Sequence, residues 1–155
     1  MIPERTMGKM LFSMALIAGL AAGCSSAPIR PGGPDYAGDW SGTTSQGRPI
    51  SFTISSNARV TAISVAYDFS GCSGVKTFTG LDVAIRTAPA GLLPPELEQY
   101  AGFNFRAGAQ GAANATQVVG ALKSETNATG AASFESYGGC TNAFEGITWN
   151  ATKNP

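Results

Sequence analysis

The chain has 155 residues, with ten Lys and Arg, ten Asp and Glu, and no His. The missing histidine excludes Ser-His-Asp and Cys-His nucleophile systems and removes the commonest zinc ligand. The balanced charge, without a Lys or Arg cluster, excludes a basic nucleic-acid-binding face.

The N-terminus has three zones. Arg5 and Lys9 supply positive charge, with Glu4 an acidic exception, and Met7 offers a second start that leaves Glu4 behind. Met10 to Gly23 is uncharged and largely apolar. It is shorter than the ~20 residues that a helix needs to cross a bilayer. A short apolar run ending in small residues reads as a cleaved signal rather than a membrane span. The run closes on Leu20-Ala21-Ala22-Gly23-Cys24.

That pentapeptide resembles a bacterial lipobox, with Ala21 standing where leucine is commoner. An ordinary signal peptide with a cysteine near the cut is the rival reading. The lipobox resemblance implies residues 1–23 as a lipoprotein signal peptide and Cys24 as the lipidated mature N-terminus. Cys24 would carry a diacylglycerol on sulfur and often a further acyl chain on its amine, and two or more chains give stable anchoring where one does not. In Gram-negative lipoproteins Asp after the cysteine favours the inner membrane; Ser25 stands there, which favours the outer membrane in such a source.

Residues 24–35 form the lipidated cysteine and a tether, rich in Pro and Gly and poor in apolar side chains. Such composition is expected to be flexible, and extended at its prolines. Residues 36–155 form one domain, long enough to bury a core. Arg5, Lys9 and Glu4 precede Cys24, so the mature chain carries a net charge of about −1.

From Tyr36 onward the pattern has period two. Gly38 to Thr44 opens the series. Ile50, Phe52 and Ile54 alternate with Ser51, Thr53 and Ser55, and Ile63, Val65, Tyr67 and Phe69 alternate likewise. Leu81, Val83 and Ile85 make the next set, then Phe103 and Phe105, Val118 to Lys123, Ala131 to Tyr137, and Phe144 to Thr152. The expected fold is all-β, with about eight antiparallel strands in a sandwich or small barrel. Ala88 to Glu98 interrupts the pattern with three prolines. Pro95 can open one helical turn, and the segment is either a packed connection between sheets or a lid over one end of the core. Gly108 to Ala115 reads as a loop. Trp40 and Trp149 bookend the domain, so the first and last strands could pair, closing a barrel or finishing a sheet.

With Cys24 lipidated, Cys72 and Cys140 remain in an exported, oxidising setting and are read as one disulfide. Closing a loop of nearly seventy residues would contribute ~4 kcal/mol in the chain-entropy model. Buried free thiols are the alternative. A redox site has no CxxC motif to support it.

Gly38-Asp39-Trp40 has the Gly-x-Trp form of the first lipocalin strand, and Trp40-Ser41-Gly42 is similar to the first strand of avidin-like barrels. The resemblance covers three to five residues and implies an eight-stranded barrel holding a small ligand in its mouth. The simpler reading is that the glycine makes a tight entry and the tryptophan plugs the core. Trp40, Tyr67 and Trp149 are the ligand-binding candidates, as a barrel floor or as rings that stack on sugars; Tyr100 and Tyr137 are further aromatic candidates. Asp68, Asp82, Glu135 and Glu145 could supply a carboxylate pair for glycoside hydrolysis, but nothing in the spacing puts two at one site. Asn114, Asn127 and Asn150 fit Asn-x-Thr; the first two read as turn residues and the third as a solvent-facing strand residue. The functional expectation is a non-catalytic cell-envelope lipoprotein without a cofactor, held to the membrane by lipid. Its partner would be an envelope protein, a glycan or a small apolar ligand.

Overall fold

Alternating side chains become strands here because each face of the pleat meets a different medium. In the computed structural model, which describes residues 35–69, 72–135 and 145–155, nine strands form one antiparallel sheet. These are β1 (Gly38–Thr44), β2 (Pro49–Ile54), β3 (Arg59–Phe69), β4 (Cys72–Ala84), β5 (Arg86–Thr87), β6 (Ala101–Ala107), β7 (Thr116–Leu122), β8 (Asn127–Phe134) and β9 (Glu145–Lys153). The strand order is β4-β3-β2-β1-β9-β8-β7-β6-β5. The sheet is single and curls into a half-barrel, rather than splitting into two facing sheets.

The first and last strands do pair: Trp40 lies opposite Lys153 and Thr44 opposite Trp149. They form the centre of the sheet, not its margin. The chain crosses between the two margins at Ile85. Before it, β4 pairs with β3; after it, β5 pairs with β6, Arg86 opposite Gly102 and Thr87 opposite Ala101. Across the rest of this seam the margins meet through side chains, with the rings of Phe78 and Phe105 4.7 Å apart.

Two elements depart from the expected pattern. β4 is one strand of thirteen residues, where the sequence suggests only Leu81 to Ile85. Gly80 adopts a left-handed backbone (φ 66°), and the β3–β4 register shifts between Val60 and Ala62. The resulting bulge breaks the alternation in mid-strand. β8 begins at Asn127 rather than Ala131.

The concave side holds the core: Trp40, Ile50, Phe52, Ile54, Val60, Ile63, Val65, Phe103, Val118, Leu122, Phe134, Ile147 and Trp149 are all buried. A second, smaller apolar cluster lies on the outer face of β7, where Ala88 and Leu93 cover Val119 and Ala121, with Leu97 and Tyr100 packed around them. The proline-rich segment is therefore a strap on the outside of the sheet, neither a lid over one end nor a bridge between two sheets. It contains the expected turn, a 3-10 helix over Pro95–Leu97. Ala88 N–H donates to Tyr100 O (2.8 Å) and Gly91 N–H to Glu98 Oε1 (2.9 Å), which close the strap on itself.

Candidate functional site

Trp40 and Trp149 come together inside the curl, with exposures of 0% and 1%. Phe52 sits between them, its ring 5.5 Å from Trp40 and stacked, and 5.7 Å from Trp149 and tilted. Phe103 completes the group, 5.4 Å from Phe52. Packed rings of this kind add about 0.5–1.5 kcal/mol per pair beyond burial of their area. Trp40 Nε1 donates to Tyr36 O (3.0 Å), while Trp149 Nε1 is buried with no hydrogen-bond partner among the described residues. Tyr67, 8% exposed, belongs to a separate ring cluster with Phe69 and Phe134, at centroid distances of 5.5 and 5.0 Å. Tyr100 packs under the strap, and Tyr137 lies outside the described residues. None of Trp40, Tyr67 and Trp149 offers a ring face to solvent.

The candidate carboxylates are dispersed. Asp68 pairs with Arg48, Asp82 with Arg59 at 2.8 Å, and Glu135 with Arg106 at 3.5 Å. The Glu145 side chain lies outside the described residues. Among the described residues no three His, Cys, Asp or Glu side chains gather as metal ligands. Cys72 begins β4; Cys24 and Cys140 lie outside the described residues. Asn114 does take the left-handed conformation (φ 67°), and Asn150 faces solvent. Asn127 departs from the turn reading only slightly, opening β8 while its side-chain amide donates back to Ser124 Oγ and Thr126 Oγ1.

The entry of the chain is fastened at several atoms, which no motif announces. Asp35 N–H donates to Glu125 Oε1 (3.0 Å). Lys153 Nζ donates to Asp35 O (3.1 Å). Ala37 N–H donates to Asp35 Oδ1 (3.0 Å). Tyr36 is buried beside this clasp, and burial, then the nearby Glu125 charge, raises its phenol above the ordinary value of 10.0.

The outer face presents a different chemistry. Thr77, Ser64, Ser51, Ser41, Thr152 and Asn127 lie opposite one another on successive strands, forming one row across β4, β3, β2, β1, β9 and β8. Strand spacing puts these hydroxyl and amide groups about 4.8 Å apart. A shallow groove of about 580 Å³ runs over Ser41, Thr43, Lys123, Asn127, Asn150 and Thr152. Another of about 360 Å³ runs over Asp39, Ser51, Thr53, Ser64 and Thr77. Such a surface can exchange many neutral hydrogen bonds, and in the second groove the Thr53 hydroxyl donates to Asp39 Oδ1 (2.7 Å). No protein-family model matches this chain, and neither a curated protein nor a solved structure does.

Proposed function

We propose that the protein is a non-catalytic cell-envelope lipoprotein, acylated at Cys24 and carrying an all-β domain that serves binding or structure. The observation that carries this reading is the apolar run closing on Leu20-Ala21-Ala22-Gly23-Cys24. The start of the domain supports it. Asp35 is hydrogen-bonded to Glu125 and Lys153, and Tyr36 is buried, at the boundary expected between tether and domain. The separate pairing of Asp68, Asp82 and Glu135 with arginines supports a non-catalytic role. Rings packed into the concave side argue against an open lumen for an apolar ligand, and the uncharged hydroxyl row on the outer face favours a neutral glycan over a charged partner. The curled sheet is then a small β-barrel sealed along its β4–β6 seam mainly by side chains.

A Cys72–Cys140 disulfide belongs to the same proposal. Phe69, opposite Cys72 in the β3–β4 ladder, packs on Phe134 with rings 5.5 Å apart. This brings the start of β4 to the end of β8, six residues before Cys140. Intact mass tests both modifications in one sample. The mature protein is expected to start at Cys24 with a lipid adduct and to gain two hydrogens on reduction. A Cys24→Ser variant is expected to lose the lipid mass and leave the detergent phase. A variant that keeps both overturns the anchor, and two free thiols without reductant overturn the disulfide.

A further inference from the structure

The clasp at the chain entry fixes which end of the domain the tether leaves from. Asp35 is bonded to Glu125 in the β7–β8 turn and to Lys153 at the end of β9. Behind it, Trp40 Nε1 bonds the Tyr36 carbonyl within the core. The β2–β3 turn, in which Ala58 N–H donates to Ser55 O, lies at this same end, because β1 leaves the clasp and β2 returns to it. The Ser45–Arg48 turn and the Gly108–Ala115 loop lie at the other, as the strand directions require.

We infer that the domain stands end-on to the bilayer. Its clasped end faces the lipid headgroups, and the end bearing the Ser45–Arg48 turn and the Gly108–Ala115 loop faces away from them. This rests on the lipid anchor at Cys24. Ten residues separate Cys24 from Asp35, and ten residues reach at most about 35 Å. A strand of eight residues such as β8 is about 27 Å long. Inverting the domain would require the tether to run beside the whole strand length, using about three quarters of its full reach and surrendering much of its conformational freedom. The clasp prevents the alternative, in which Asp35 to Ala37 would peel away and lengthen the tether. The two exposed large apolar side chains among the described residues, Val75 and Leu92, are not part of the clasp, so the clasped end rests near headgroups without inserting.

The test uses the full lipidated protein in vesicles whose headgroups carry an energy acceptor. A bio-orthogonal fluorophore is placed at exposed Ser56, in the β2–β3 turn, or at exposed Gln110, in the far loop. Transfer is expected to be several-fold more efficient from position 56. Equal or reversed efficiencies in protein that floats with the vesicles overturn the orientation alone. Protein that does not float overturns the anchor, and the orientation with it.

Discussion

A Cβ at Gly130 would lie 2.6 Å from Cε2 of Trp149, and one at Gly120 would lie 2.6 Å from Cε1 of Phe103. Real Cβ atoms do not approach so closely, so the indole and phenyl rings can fill the curl only because the strands behind them are bare at these positions. Replacing Gly130 by Ala inserts a methyl group where the core has no slack, and overpacking of this kind costs about 1–3 kcal/mol. Gly146, on the neighbouring strand β9, is exposed, and nothing stands within 4 Å of its would-be Cβ. Urea unfolding is expected to show the Gly130→Ala loss, while Gly146→Ala stays within about 0.5 kcal/mol of the parent. Sequence reading picks out both tryptophans but not the glycines beneath them. A glycine inside a strand pattern signals close approach without saying what approaches.

At the scale of elements, the seam sets β4 apart from the strands it resembles. β1 is bonded on both sides, by β2 and β9. Among the described strands β4 pairs with β3 alone, and in an antiparallel pair half of a strand's amides point away from its partner. Those amides of β4 are expected to exchange with deuterium much faster than the amides of β1, in residue-resolved hydrogen exchange. Protection of β4 matching that of β1 would mean that the backbone bonds across the seam. Lys76 shares a face of the strand with Phe78, while Val75 on the other face is 61% exposed. A charge on the core side, with the bulge at Gly80, discourages pairing with a second chain. The same features hide β4 from sequence reading. From Cys72 to Thr79 the apolar Val75 points outward and the charged Lys76 inward, so the alternation that marks the other strands is scrambled.

For the molecule as a whole, the clasp couples the chain entry, the β7–β8 turn and the last strand to the core. Tyr36 makes that coupling sensitive to alkali. Its phenol is held above its ordinary value of 10.0, first by burial and then by Glu125, so the folded state holds the proton more tightly than the unfolded chain. The stability this contributes is complete below pH 10 and is lost as pH rises through the higher folded value. Denaturant midpoints measured from pH 8 upward are expected to fall above pH 10. Tyr36→Phe, which cannot ionise, is expected to give a shallower fall. An equal slope in the two proteins would show that Tyr36 does not carry the effect.

The all-β class, the positions of most strands and the inward aim of Trp40 and Trp149 follow from the sequence alone, because period-two alternation and turn residues are local signals. The run that resembles a lipobox is local too, and it carries the proposed function. Which strands become neighbours at the margins, that the sheet is one curl and not two layers, and that the proline-rich segment straps the outer face were settled only by tertiary structure. Each depends on contacts between residues far apart in the chain: Phe78 on Phe105, Leu93 against the outer face of β7, and Asp35 with Glu125 and Lys153. No local pattern encodes them, since alternation tells a side chain which medium it will meet but not which strand it will meet there.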